Sequence, residues 1–270
     1  MALVTSQQLA LYYSNYMNID VTFTKQVARA IGLLTDKLFL RLLGYQLPCI
    51  VYSSSMVGAK VIANINQDLF TKIREANNLV SLRFCLKDAD KPDPLSFFVA
   101  SRIAGYNPYS QQHKDLNLLV LNYTQRPSDD LIAALGQLLE ANINSKKRRE
   151  ERIEINPDSM RKLGLASRDA LLQVDDNPRK CIVRDLSFSG ASVMVSGAAD
   201  SLEEKEVRLS ITVDDGKSTH HLVGKIVRFE EIAGQPGIGA AGIHFEEQRV
   251  SMEYRMRLNE YLVTLRKPSS

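Results

Sequence analysis

The sequence predicts a mainly β protein with flanking α-helices, arranged as two tandem small antiparallel β-barrels, and three observations lead there. The window Cys49-Ile-Val-Tyr-Ser-Ser-Ser-Met-Val-Gly-Ala-Lys-Val-Ile62 matches Cys181-Ile-Val-Arg-Asp-Leu-Ser-Phe-Ser-Gly-Ala-Ser-Val-Met194 without a gap. The second half alternates apolar and polar residues with the period of half-buried strands. Each half then closes on a segment whose apolar residues fall on one helical stripe. A length of 270 residues suits two domains, and the expected division is 1–142 and 143–270.

In order along the chain, the first half opens with helical material around Gln7 to Tyr16 and Thr24 to Ile31. Strands follow the Cys49 window at Leu82-Arg-Phe, Phe98-Val-Ala-Ser-Arg-Ile and Leu118 to Tyr123. Ser128 then offers an N-cap to a helix that buries Leu131, Leu135 and Leu138. The polar stretch Asn142 to Lys147 reads as the join. In the second half, Val207, Leu209, Ile211 and Val213 alternate with Arg208, Ser210 and Thr212, and Asp214-Asp-Gly216 supplies hairpin chemistry. A run from His221 to Phe229 leads through Gly234, Pro236, Gly237 and Gly239 to a strand ending near Phe245. Tyr254, Leu258, Tyr261, Leu262 and Leu265 form the last helical stripe. Several short antiparallel strands of this kind close most economically into a barrel, which leaves no exposed sheet edge.

Composition narrows the function. Apolar residues make up 44% and charged residues 24%, as in ordinary globular chains. No apolar run reaches the length of a membrane helix, and the N-terminus lacks a secretory pattern, so a cytoplasmic protein without membrane insertion is expected. Cys49, Cys85 and Cys181, an odd number widely spaced, suit reduced core thiols. Adjacent His220 and His221 would point to opposite faces of a strand, and no histidine has metal-ligand spacing with a cysteine. No phosphate-binding loop or activated-nucleophile motif occurs, so the chain is not expected to be an enzyme. A net charge of +3, from 34 basic and 31 acidic residues, is too balanced for a duplex-binding protein.

The balance breaks in one place. Lys146-Lys-Arg-Arg-Glu-Glu-Arg152 concentrates five cations, with Arg148 and Arg152 spaced as Arg-x-x-x-Arg. Some thirty residues later comes Asp185-x-Ser187-x-x-Gly190. This ordered pair of motifs within a β-pattern resembles the PilZ family of cyclic di-GMP receptors, and Gly224 to Arg228 with Gly242 to Phe245 looks like that family's later strands. The two-copy arrangement is similar to the two-domain PilZ proteins of spirochaetes. The resemblance implies that Arg148, Arg149, Arg152, Asp185, Ser187 and Gly190 form the ligand site, that the ligand is cyclic di-GMP with no further cofactor, and that a downstream protein partner receives the signal.

The residue types fit that ligand physically. Cyclic di-GMP is a compact dianion with two guanines, and arginine can fork onto phosphate or a guanine edge and also stack flat on a base. A carboxylate only accepts hydrogen bonds, which suits Asp185 to guanine N1–H and N2–H donors. Ser187 can donate or accept with little bulk, and Gly190 permits a left-handed turn or a close backbone approach. Arg149 either points elsewhere or stacks as a third group. Arg228 reads as a strand surface residue. In the first copy, Ser53 stands at the place of Asp185, and Tyr16 to Asp20 at the place of Arg148 to Arg152, with no arginine. Ser55 and Gly58 keep the turn. The first domain is therefore expected to be a degenerate PilZ-like platform. The alternative from another class is a single-stranded nucleic-acid-binding module using the basic run, against which the near-neutral total charge counts.

Overall fold

The structure is a computed structural model that describes residues 4–87, 92–109, 115–175, 177–198, 202–213, 218–232 and 237–265. The chain divides into two compact units, Met1–Glu140 and Ala141–Ser270. The hairpin residues Asp214 to Gly216, together with Gly234, Pro236 and His113, lie outside the described residues.

In the first unit, helix α1 (Ser6–Tyr16) begins with a capping box in which Thr5 and Gln8 satisfy each other's backbone N–H. Strand β1 (Val21–Thr22) and helix α2 (Lys25–Ala30), capped by Thr24, precede β2 (Phe39–Leu42), β3 (Tyr45–Ser54) and β4 (Gly58–Asn64). Helix α3 (Gln67–Glu75) leads to β5 (Leu79–Leu86), β6 (Leu95–Pro108) and β7 (Leu116–Tyr123). The strands run in the order β3, β2, β5, β6, β7, β4, and β4 pairs back onto β3, so the sheet closes into a six-stranded barrel with β1 added outside the ring. Alternation does the sorting. Leu40, Leu42, Leu82, Phe84, Val99, Leu119 and Leu121 point inward and are buried, as period-two strands require.

The second unit repeats this plan. Strand β8 (Ile153–Glu154), helix α5 (Pro157–Leu163), β9 (Asp169–Val174), β10 (Asn177–Leu186), β11 (Gly190–Ser196), β12 (Glu206–Val213), β13 (Ser218–Glu231) and β14 (Ile238–Phe245) follow one another. Six of them close as β11, β14, β13, β12, β9, β10, and β8 attaches to β10 from outside. Helix α6 (Met252–Thr264) ends the unit.

The duplication extends to register. Moving from Cys49 to Cys181 carries every β3–β4 pair onto a β10–β11 pair: Cys49 faces Ala63 as Cys181 faces Val195, and Ser53 faces Lys60 as Asp185 faces Ser192. The bulge falls at the same step, between Val51 and Ser53 and between Val183 and Asp185. A second shared bulge interrupts the long strands at Ile103/Gly105 and Ile226/Arg228. Bulges aim side chains, so their shared position preserves the geometry of the turn that follows.

Two expectations need correction. The polar stretch Asn142 to Lys147 is no loop but the end of helix α4 (Asp129–Lys147), and the boundary between units falls inside that helix. Asn144 is buried there and its amide donates to Asn259 Oδ1 at 2.7 Å, a tertiary bond that outweighs asparagine's low helix propensity. Leu265, expected on the buried stripe of the last helix, is its exposed C-cap, whereas Tyr254, Leu258, Tyr261 and Leu262 are buried. In α4, Leu131, Leu135 and Leu138 are buried and Ser128 Oγ accepts from the Leu131 N–H at 3.5 Å. Gly136 lies there because a Cβ would sit 2.3 Å from the ring of Tyr12, whose hydroxyl donates to Glu140.

All three cysteines are free and buried. Burial pushes the thiols of Cys49 and Cys181 up to about 12 from an ordinary 9.0. It also pushes the phenols of Tyr12, Tyr123 and Tyr254 well above their ordinary 10.0. Each of these groups holds its proton more tightly folded than unfolded. Their contribution to stability is therefore complete below about pH 9 and is lost as pH rises through the thiol range toward 12. Melting temperature should be flat from neutral pH to about 9 and fall steadily above it. A melting temperature that rises across the alkaline range would contradict this assignment.

Candidate ligand-binding site

The basic run leaves α4 and turns. Arg148 N–H still donates to the Asn144 carbonyl, Glu151 N–H donates to the Arg148 carbonyl, and the chain then enters β8. Since β8 pairs with the end of β10, with Glu154 opposite Asp185 and Ile153 opposite Leu186, the arginine turn is fixed beside Asp185 by backbone pairing alone. Arg152 Nη1 donates to Asp185 Oδ1 at 2.5 Å. The Asp185 side chain is 24% exposed and that of Arg152 47%, so the pair is reachable from solvent and contributes little to stability.

The turn between β10 and β11 is held from several sides. Ser187 N–H donates to the Gly190 carbonyl at 2.8 Å and Ser187 Oγ donates to the same oxygen at 3.1 Å. Ser187 is fully buried, so its hydroxyl shapes the turn. Tyr254 on α6 donates its phenol to the Ser187 carbonyl at 2.9 Å, and burial first and the Asp185 charge second keep that phenol protonated. Gly190 has no left-handed backbone; its requirement is close approach, because a Cβ there would meet the Ile243 carbonyl oxygen on β14 at 2.3 Å. Gly58 in the first barrel meets Leu121 O at 2.5 Å for the same reason.

Two contacts that sequence reasoning missed tie the arginine turn to this second turn. Ser189, at a variable position inside the Asp-x-Ser-x-x-Gly spacing, is buried, and its hydroxyl lies 3.0 Å from both the Arg149 carbonyl oxygen and Glu150 Oε1. Arg149 Nη2 stands 3.4 Å from His244 Nε2 and Nη1 3.6 Å from Glu247 Oε2. Arginine only donates, so any hydrogen bond in the first contact runs from Arg149 to His244 Nε2. Arg149 thus points at β14 and the segment beyond it rather than at Asp185. Arg149, Phe188, Ser189 and Arg255 line a shallow depression beside the two turns. Arg148 is largely buried; its Nε is 4.0 Å from Glu151 Oε2, and its Nη1 is buried with no hydrogen-bond partner among the described residues.

Other candidates fall elsewhere. Arg228 is an exposed strand residue 3.4 Å from Glu230. His220 is buried and His221 exposed, on opposite faces of β13. Among the described residues no cluster of histidine, cysteine or carboxylate side chains could hold a metal ion, and no helix is long and apolar enough to cross a membrane. In the first barrel the equivalent of Arg152 is Asp20, which pairs with Lys60 at 2.7 Å, while Ser53 is buried at the place of Asp185. The register is kept, but a carboxylate stands at the place of Arg152 and no carboxylate at the place of Asp185.

Residues 7–142 match the PilZN3 domain and residues 146–263 the PilZ domain. A Treponema denticola protein described as a cyclic di-GMP binding protein is 43% identical over 270 residues, covering 100% of this chain and 86% of that protein. Among solved structures, Borreliella burgdorferi PlzA in complex with c-di-GMP aligns over 95% of this chain and 98% of that one, at 24% identity and TM-score 0.43. Escherichia coli YcgR in complex with c-di-GMP aligns over 89% and 86%, at 13% identity and TM-score 0.30. With both halves matched in order and a relative this similar over the whole of this chain, the chain belongs to the PilZ family as a PilZN3 domain followed by a PilZ domain.

Proposed function

We propose that this protein is a cytoplasmic, non-enzymatic receptor for cyclic di-GMP, bound by its second domain. The observation that carries the reading is the joining of two turns. Arg152 is paired with Asp185, Ser189 reaches the Arg149 carbonyl, and Arg148 keeps a buried guanidinium nitrogen without an acceptor. An unmet buried donor is costly, and a phosphate oxygen satisfies it. In this reading Arg148 and Arg152 meet the phosphates and guanine edges, and Asp185 accepts from guanine N1–H and N2–H once Arg152 turns to the ligand. Arg149 stacks or steers from the His244 side. Ser187 and Gly190 act by shaping the turn. The name of the Treponema denticola relative supports the same ligand.

The finer part of the proposal concerns output. Helix α4 belongs covalently to both units and runs straight into the arginine turn. Ordering that turn around a ligand would bias the arrangement of the domains, and a downstream protein partner would read the change, to the extent that the ligand prefers one arrangement. Calorimetric titration with cyclic di-GMP tests the ligand, with GTP and cyclic AMP as controls. Saturable binding of the dinucleotide alone is expected, and equal binding of all three removes the proposal. A steep loss of affinity between low and moderate salt, with oligonucleotides bound as well, would favour the nucleic-acid alternative. Small-angle scattering tests the output, since curves unchanged at saturation exclude a rearrangement.

A further inference from the structure

The outer surface of the first barrel has a composition that the fold does not require. Phe39 on β2, Arg83 on β5 and Phe98 on β6 are cross-strand neighbours in one row. The Arg83 guanidinium lies 5.0 Å from the centre of the Phe39 ring and that of Arg41 lies 5.9 Å from the Phe98 ring. The two rings meet edge-on at 5.9 Å. Leu79 and Arg102, opposite each other, extend the patch, and both Phe98 and Leu79 are well exposed. No aspartate or glutamate occurs in β2, β3, β5 or β6, and among the described residues Arg41, Arg83 and Arg102 have no carboxylate partner. In the second barrel the same row reads Leu171, Ser210, His221, and its strands carry Asp169, Glu206 and Glu230. The shared fold therefore leaves this face free to vary, and only the first copy is cationic and aromatic there.

Because the barrel is closed, a partner cannot add a strand to an edge and must engage these side chains from above. Arg83 Nη2 already donates to Ser96 Oγ at 2.9 Å, and the remaining N–H groups stay available, since an arginine laid over a ring keeps its in-plane donors at the rim. The rings, by contrast, already carry guanidinium on a face, which disfavours the stacking of nucleic-acid bases. Uncompensated forks beside exposed apolar groups are complementary to carboxylates interspersed with apolar side chains. We propose that this face is a docking surface for an acidic, partly apolar segment of a partner protein. It uses residues of the first unit alone, so it stands apart from the ligand reading of the second.

The test uses the full chain and fluorescence anisotropy with a labelled random copolymer of glutamate and tyrosine, alongside labelled oligothymidylate. Copolymer binding is expected in the wild type, weakened about tenfold or more in Arg41→Gln/Arg83→Gln, where two charge-assisted contacts are removed. Phe98→Ala should weaken it as well, and cyclic di-GMP affinity should stay at the wild-type value in every variant. Melting curves report folding, and Arg102→Gln, at an exposed position, gives the same readout if the double variant does not fold. No copolymer binding by the wild type, or unchanged affinity in the folded variants, overturns the proposal. So does tighter binding of oligothymidylate that the same substitutions abolish, which would make the face a nucleic-acid site.

Discussion

Replacing Gly190 by valine should destabilise the second domain selectively. The new Cβ would lie 2.3 Å from the Ile243 carbonyl oxygen and 3.4 Å from its carbon, and both belong to the backbone of β14, which cannot swing aside as a side chain can. Relief requires β11 to move off β14 at the point where Gly190 pairs with His244, and that movement breaks ladder hydrogen bonds and disturbs the turn behind Ser187. Overpacking of this kind costs about 3 kcal/mol or more, a large share of a domain's stability. Melting followed by calorimetry should show the second unit's transition lowered by about 10 °C or more. The first unit should melt as before, and cyclic di-GMP binding should weaken, because the displaced strand carries the turn behind Ser187. Gly105→Val is the control, because a Cβ there meets nothing within 4 Å. Wild-type melting of Gly190→Val would show that the two strands separate more easily than their geometry indicates.

That prediction also marks what the sequence can and cannot carry. Gly190 was recognisable as a residue the turn could not do without, yet two physical reasons, left-handed backbone and close approach, leave the same letter, and only the packing of β14 separates them. The repeated barrel was legible because Cys49 and Cys181 head windows with the same alternation and the same Ser-x-x-Gly spacing, so that strand, bulge and turn are written locally. Helix α4 was not legible past residue 142, since Asn144 and Ser145 have the propensity of a linker and the buried partner that reverses it, Asn259, lies far away in the chain. Ser189, Tyr254 and His244 went unread for a related reason. Serine at a variable position carries no signal of its own, a tyrosine on an apolar stripe reads as core, and a histidine without companions was weighed only as a metal ligand. Each matters through a partner distant in sequence: Ser189 through the Arg149 carbonyl, Tyr254 through the Ser187 carbonyl and His244 through the Arg149 guanidinium.

Arg152→Ala should weaken cyclic di-GMP binding by about 1.5–3 kcal/mol, ten- to a hundredfold, the range for a hydrogen bond to a charged group. The domain should remain folded, because the pair with Asp185 is partly exposed and β8 is held by its backbone. Removing Arg152 also leaves Asp185 as an unpaired carboxylate in a site that must accept a dianion, so the loss should lie toward the upper end of that range. Asp185→Ala is expected to weaken binding by about 1–3 kcal/mol, since guanine N–H donors lose their acceptor and Arg152 loses the group that orients it. As the two side chains act through one contact, the double variant should cost less than the sum, with a coupling of about 1 kcal/mol or more. Four titrations measure the cycle, each with a melting curve. Repeating them with cyclic di-AMP separates the two roles of the carboxylate. If Asp185 reads guanine, its removal narrows the preference for cyclic di-GMP, because adenine lacks the N1–H and N2–H donors. If it only holds Arg152, both dinucleotides lose equally and the preference stays. Wild-type affinity in folded Arg152→Ala would show that the basic run is a solvated surface and would remove the arginine turn from the binding site.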